Sequence, residues 1–233
     1  MKSIAIIPAR GGSKRIPRKN IYNICGKPML AWPIEQAIKS KLFSAVIVST
    51  DDTEIAQVAE QYGARAIMRP AELATDTAEE IDAYEHVLQT LHNERKIYPK
   101  YFCGVYPTAI LIKDEDLIAG FEKFSDNNAD VVMSVSEYAI HPYKALVRNI
   151  ETGFLEMVYP VECNTLRSQE YPLYTASNGT FYWFNVTSFL KEKNYYPERL
   201  DQYILPRTRA VDVDVLEDLD IAQIFKKNQL ETS

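Results

Sequence analysis

Two clusters of charge stand near opposite ends of the chain. Between Arg10 and Asn20 lie two glycines and five cations (Arg10, Lys14, Arg15, Arg18 and Lys19) without one acidic residue. A glycine-rich turn lets backbone amides converge on an anion, and flanking cations supply charge that water would otherwise have to screen. The pattern suits a polyphosphate, with Arg10, Ser13, Lys14, Lys19 and Asn20 as its holders. It is neither the G-x-x-x-x-G-K-[ST] of a P-loop nor the G-x-G-x-x-G of dinucleotide folds. The alternative is a solvated basic loop, the usual fate of a charge run. The second cluster is Asp212-Val213-Asp214. On a strand, residues i and i+2 project from one face. Two carboxylates held there repel each other or share a hard divalent cation, Mg²⁺ above all. A capping cluster for the helix that follows is the competing reading.

The elements that must position these groups follow from hydrophobic period and breakers. Ile4–Ile7 is an apolar run that fits a strand buried on both faces, stopped by Pro8. The basic loop therefore leaves the first strand directly, where α/β folds place their ligands. A helix is expected from Pro28 to about Lys41, then a strand over Ala45–Ser49. Thr50–Thr53 caps a helix running to Tyr62 and closed by Gly63. Further strands are expected at 66–68, 101–106, 130–135, 180–184 and 209–213, with helices at about 77–95, 114–124, 186–193 and 216–227. Strand and helix alternate through the first half, which predicts an α/β fold with a mostly parallel, Rossmann-like sheet and helices on both faces. The rhythm breaks from about 141 to 178, where short β-like pieces are interrupted by Pro142, Pro160 and Pro172. One domain over 1–233 is expected, with that segment as a flap or an arm exchanged with a partner subunit.

Composition narrows the partners. The 233 residues are 46% hydrophobic, enough for one substantial core, and carry a formal charge of -6. An acidic chain is not a general binder of nucleic acid, so the basic loop reads as a focused site for a small anion. The three cysteines, Cys25, Cys103 and Cys163, fit neither a disulfide framework nor metal-ligand spacing, which points to a reducing cytoplasm. No apolar run approaches membrane-spanning length, and the apolar start is too short for a signal peptide. The three histidines form no ligand pattern, and none is placed by motif as a general base.

Ile7-Pro8-Ala9-Arg10-Gly11-Gly12-Ser13-Lys14, closed by Lys19-Asn20, resembles the signature of the CMP-sialic acid synthetase family of cytidylyltransferases. The resemblance runs through nearly the whole chain. It implies a nucleotidyltransferase fold, CTP as one substrate, an acidic nine-carbon sugar as the other, Mg²⁺ as cofactor and a homodimer. It adds Ala9 and Gly11 to the nucleotide contacts. It gives Arg10 and Lys19 catalytic roles, and carries the metal-binding aspartates onto Asp212 and Asp214. The stretch Arg69–Ala78 is similar to the family's nucleotide-contacting segment, with Arg69 helping to recognise cytosine. Tyr106 stands where sialic acid synthetases begin the segment with glutamine. Tyrosine there, with Arg167-Ser168-Gln169 and Phe181-Tyr182-Trp183, resembles the branch that activates pseudaminic acid, whereas Asn178-Gly179 is closer to sialic acid synthetases. Read as a residue alone, Tyr106 also fits a half-buried tyrosine with its hydroxyl satisfied. Lys144 and Arg167 suit the sugar carboxylate, arginine by two parallel hydrogen bonds and lysine as a point charge.

The expected reaction is attack by the sugar's anomeric oxygen on the α-phosphorus of CTP, releasing pyrophosphate. Such transfer depends on in-line placement and neutralised phosphate charge more than on covalent chemistry. CMP-sialic, CMP-legionaminic and CMP-ketodeoxyoctonate synthesis are the alternatives within enzymes. A nucleotide-binding module without turnover is the alternative outside them, and it would not require the aspartate pair.

Overall fold

The computed structural model describes residues 3–96 and 98–232. In chain order the strands and helices are β1 (Ser3–Pro8), β2 (Asn23–Ile24), β3 (Lys27–Pro28), α1 (Ala31–Lys39), β4 (Val46–Thr50), α2 (Thr53–Gln61), β5 (Arg65–Met68), α3 (Glu80–Arg95), β6 (Tyr101–Val105), α4 (Asp114–Asp126) and β7 (Val131–Glu137). They continue with β8 (Leu146–Arg148), β9 (Leu155–Met157), α5 (Pro160–Thr165), β10 (Thr175–Asn185), α6 (Val186–Glu192), β11 (Leu200–Ile204) and α7 (Leu216–Glu231).

Seven strands form one sheet in the order β11-β7-β10-β6-β1-β4-β5. Only β10 runs against its neighbours; the other pairings, β1 with β4 and β6, β4 with β5, and β7 with β11, are parallel. β1 lies inside the sheet and is buried along its whole length, as a run apolar on both faces requires. On one face Ala5, Ile7, Val48, Cys103, Phe181 and Trp183 pack against α1, α2 and α4. On the other, Ile4, Ile6, Phe102, Tyr182 and Phe184 pack against α3 and α6. A Cβ added to Gly120 of α4 would come within 2.7 Å of the Phe181 ring, so the missing side chain lets the helix sit against the sheet.

The alternation of strand and helix is as expected, with ends shifted by a few residues. The chain departs from expectation after α6. Residues 209–213 form no strand: a 3₁₀ turn at Arg207–Arg209 leads into irregular backbone up to α7. The last parallel strand is instead β11, at the sheet edge, where Leu200 and Ile204 are exposed and Asp201 and Gln202 interrupt any apolar run. An edge strand has one ladder and little buried side-chain area, so its sequence carries a weak period.

Between β7 and β10 the chain leaves the sheet. The β8–β9 hairpin and α5 stand out from the body, with Ile150 98% and Phe154 76% exposed. His141, Tyr143, Tyr171 and Tyr174 close the base of this excursion, with ring centroids 4.6–5.4 Å apart.

Candidate active site

A cleft of about 340 Å³ opens beyond the carboxyl ends of β1, β5 and β6, lined by Arg10, Arg15, Lys19, Asn20, Arg69, Tyr106, Asp212 and Asp214 among others. This is where an open parallel sheet presents its ligand contacts. The basic loop and the aspartate pair, almost two hundred residues apart, therefore share one site.

The loop is held from several sides. Asn20, 4% exposed, donates from Nδ2 to the Arg10 carbonyl at 2.8 Å, while its Oδ1 is buried without a partner among the described residues. Arg10 Nη1 donates to the Thr75 carbonyl at 2.9 Å and to Asp76 Oδ1 at 3.0 Å. Lys14 pairs with the other oxygen of Asp76, and these cations hold that carboxyl below its ordinary range. Ser13 and Lys14 line the outer part of the same cleft with Arg10 and Lys19. Both cations thus rest on an anionic group inside the cleft.

Three loop residues do other work than expected. Arg18 turns away to Asp52 and Glu54 at the start of α2. Gly11 gives its amide to Asp51 Oδ1 at 2.9 Å, so that N–H is already taken by a carboxylate and is not free for a phosphate. A Cβ there would meet Asp52 Oδ2 at 2.8 Å; the glycine serves close approach to α2. Ala9 is fully buried, its amide continuing the ladder to the Ser49 carbonyl at 2.9 Å, so it is scaffold.

Arg69 is 8% exposed, and its Nε has no hydrogen-bond partner among the described residues. Burial pushes its pKa down, opposed by Asp51 and Glu80. Arg69 lines the cleft, and a buried guanidinium donor left without a partner is rare enough to mark the residue. Beside it Tyr106 follows β6, its ring 5.8 Å from Tyr182, which in turn lies 5.1 Å from Tyr195. Burial raises the pKa of all three phenols, so they remain protonated donors at neutral pH.

The acidic pair is set by irregular backbone, not by strand pleat. Asp214 faces Arg15 at 3.0 Å and Lys19 at 3.5 Å. Asp212 forms no ion pair among the described residues, and burial, then the Asp214 charge, raise its pKa. Lys19 Nζ donates to the Val213 carbonyl at 2.8 Å, tying the basic loop to the acidic one. The Asp218 carboxylate accepts from the amides of Asp214 and Val215, both at 2.9 Å, so the cap of α7 is Asp218 and the pair is released from capping. Two neighbouring carboxylates, one of them without a cationic partner among the described residues, fit a hard divalent cation. No group of three or more acidic, histidine or cysteine side chains is placed to hold a metal among the described residues. A divalent ion would have Asp212 and Asp214 as its protein ligands and would draw the rest of its shell from oxygen donors outside the chain.

Several expected sugar contacts are not brought to this cleft within one chain. Lys144, Arg167 and Gln169 lie exposed on the excursion. Phe181 is fully buried against α4, because alternation along β10 sends Phe181 and Trp183 to one face and only Tyr182 to the other. The three aromatics therefore cannot form one wall. Asn178 commits its amide group to β7: Oδ1 accepts from Ser134 Oγ at 2.7 Å and Nδ2 donates to Ser136 Oγ at 3.1 Å. Its role is to hold the irregularity of β10, where Gly179, at φ +59°, passes beside the Asp212 carboxylate.

Sequence reasoning missed Arg15 as partner of Asp214, and Glu79, Glu80 and Thr108 as cleft residues. Arg15 was visible as one of five cations, but nothing in the run distinguishes it from Arg18. Only the packing of α2 separates them.

A family model described as cytidylyltransferase matches residues 4–230. A pseudaminic acid cytidylyltransferase of Campylobacter jejuni is 34% identical over 97% of this chain and 97% of its own length. An N-acylneuraminate cytidylyltransferase of Streptococcus agalactiae is 31% identical over 94% of this chain and 52% of its own. Among solved structures, CMP:2-keto-3-deoxy-manno-octonic acid synthetase complexed with CTP superposes with a TM-score of 0.70 at 19% identity, covering 98% of this chain and 100% of its own. The last likeness speaks to fold alone.

Proposed function

We propose, for a chain that belongs to the cytidylyltransferase family, that it joins CTP to pseudaminic acid, giving CMP-pseudaminic acid and pyrophosphate. One observation carries the nucleotidyl transfer. The basic loop and the Asp212–Asp214 pair face each other across a single cleft and are tied by Lys19. A module that only held a nucleotide would gain nothing from two carboxylates beside its phosphates.

Arg10, Lys14 and Lys19 hold the triphosphate, and Asn20 keeps the loop in shape through the Arg10 carbonyl. Arg69, a residue of the cleft wall, offers its guanidinium to the cytosine ring. Asp212 and Asp214 hold Mg²⁺, which when bound neutralises phosphate oxygens and lowers the pKa of the attacking hydroxyl. Lys19 spans the two loops and sets the in-line path of the sugar's anomeric oxygen to the α-phosphorus. Three free cysteines among the described residues, with CTP as substrate, support a reducing cytoplasm as the enzyme's compartment.

The choice of sugar rests on the 34% relative and on Tyr106, the cleft residue of an aromatic cluster that Tyr182 and Tyr195 continue behind it. Pseudaminic acid ends in a methyl group where sialic acid carries hydroxyls. Aromatic rings pack a methyl, whereas a site built to bond hydroxyls leaves polar groups unpaired against it. We expect kcat/KM to favour pseudaminic acid over N-acetylneuraminic acid by about a hundredfold. Competition between the two sugars for limiting enzyme, with the CMP-products separated and counted, is the measurement. Equal or reversed yields would assign the enzyme to sialic acid.

The excursion supports a homodimer. Ile150, Phe154, Leu155 and Val161 are each more than half exposed along it, apolar side chains that a second copy would cover. Exchange of these arms would also carry Lys144, Arg167 and Gln169 to the cleft of a second copy. Light scattering is expected to give twice the chain mass, and Ile150→Asp with Phe154→Asp to return it to the monomer mass. A monomeric wild-type chain would remove the dimer.

A further inference from the structure

The backbone that carries Asp212 has no strand or helix of its own, so side-chain ties must set where its carboxylate points. On its far side these ties are Val213, fully buried among Ile16, Ile110 and Leu111, the Lys19 bond to the Val213 carbonyl, and the Asp218 cap. On the near side the chain comes from Leu205, whose amide closes the β11–β7 ladder, through the turn at Arg207–Arg209. Ala210 and Val211 pack on the core just beyond the turn, and one buried ion pair holds the turn itself. Arg209 Nη2 donates to Asp116 Oδ1 at 2.7 Å, and Asp116 is only 2% exposed.

Asp116 is already committed on every side. Its Oδ2 accepts from the Lys113 amide at 2.9 Å, capping α4, and its Oδ1 also accepts from the Tyr203 hydroxyl at 3.0 Å. One carboxylate thus joins a helix start, the edge strand and the turn before Asp212. Burial and the Asp116 charge push Tyr203 up to about 12, so it stays a donor. Arg209 Nε is buried without a hydrogen-bond partner among the described residues, so Asp116 is the anion on which that guanidinium depends. Neither Asp116 nor Arg209 lines the cleft that holds Asp212.

We propose that Asp116 and Arg209 are positioning residues for the aspartate pair: through their buried ion pair they fix the turn that aims Asp212 at the divalent cation. This rests on the reading of Asp212 and Asp214 as its ligands. A simple stabilising role is the competitor, since breaking any buried pair leaves an uncompensated charge. The two differ in what else changes. Outer partners of metal ligands typically cost about 10–100-fold in metal affinity or activity when altered, whereas a stabilising pair alters only the melting temperature.

The test uses Mn²⁺ as the probe, its binding followed by the loss of the free-ion electron paramagnetic resonance signal, with CTP affinity measured separately in EDTA. Arg209→Lys keeps the charge but loses the forked geometry, and Asp116→Asn keeps the shape but loses the charge. Both are expected to weaken Mn²⁺ binding by about 10-fold or more and to lower kcat, with metal-free CTP affinity unchanged. Mn²⁺ affinity within twofold of wild type in either folded variant would overturn the proposal, whatever the melting temperature does. Should Asp116→Asn not fold, Arg209→Lys, at a partly exposed side chain, decides between the two roles by the same threshold. A wild-type chain that takes up no Mn²⁺ would instead overturn the metal reading, and the anchor with it.

Discussion

Replacing Asp212 by Asn is expected to lower kcat about 10³-fold while leaving the fold intact, the scale on which losing a preorganised charge at the reacting centre is felt. The substitution keeps size and shape and removes the charge that shares a cation with Asp214. The loss should persist at every Mg²⁺ concentration, because a neutral amide is a poor ligand for a hard ion. An unaltered rate across the series would remove Asp212 from the metal site. A second readout has the opposite sign. Burial and the Asp214 charge raise the Asp212 pKa in the folded chain above its unfolded value. The folded state then binds more protons, and stability linked to this group is full below the unfolded pKa and falls as pH rises through the folded one. In EDTA at pH 7, Asp212→Asn should therefore melt above wild type, and that advantage should vanish as the pH drops below the ordinary carboxylate range. Wild-type stability equal to the variant's at pH 7 would mean that the carboxylate is not under-compensated. A gain in stability with a loss of rate is the trade expected of a site that holds charge ready.

The parts of this molecule legible beforehand were those fixed by short-range rules. Ile4–Ile7 reads as a buried strand and is one; Pro8 does not stop it, since β1 runs through Pro8 and the Ala9 amide extends the ladder to Ser49, but the basic loop still begins directly after it. The composition of the Asp212–Asp214 pair marks it as a site, yet its spacing misleads about geometry. A spacing of two suggests strand pleat, while the backbone there is irregular and held by Lys19, Asp218 and Val213. Ties to residues 194 positions away in the chain leave no local trace.

The Phe181-Tyr182-Trp183 run shows the reverse error. Its types suggest a surface for a sugar methyl, but three consecutive residues on a strand cannot share a face. A helix approaching closely at Gly120 takes Phe181 and Trp183 into the core. What remains, Tyr182, meets Tyr106 and Tyr195 from other elements, an aromatic cluster no linear pattern could display. Arg18 is a similar case: five cations in one run invite a single role, and Asp52 with Glu54 take one of them away.

Lys19 separates a phosphate holder from a residue that joins two halves of a site, and its replacement is expected to cost more than that of any other cation in the loop. It is 19% exposed as a side chain, against 79% for Lys14, so less water screens its charge. Its ammonium lies 2.8 Å from the Val213 carbonyl and 3.5 Å from Asp214, so it touches the backbone between the two carboxylates proposed to hold the metal. Removing it loosens that backbone and strips a positive charge from the transferring phosphate in one step. Lys19→Met keeps the length of the stem, and kcat should fall about 10²–10³-fold, the effect of losing one electrostatic contact to the transition state. Arg10→Ala is the contrast. The Arg10 side chain contacts Thr75 and Asp76 across the loop, so its loss should weaken CTP binding by about one to two decades and spare kcat. Single-turnover rates at saturating CTP distinguish the two, since saturation hides a binding defect but not a defect in the transfer step. A Lys19→Met enzyme that recovers the wild-type rate once CTP is saturating would make Lys19 a holder of phosphate like Arg10, and the bond to Val213 a matter of stability alone.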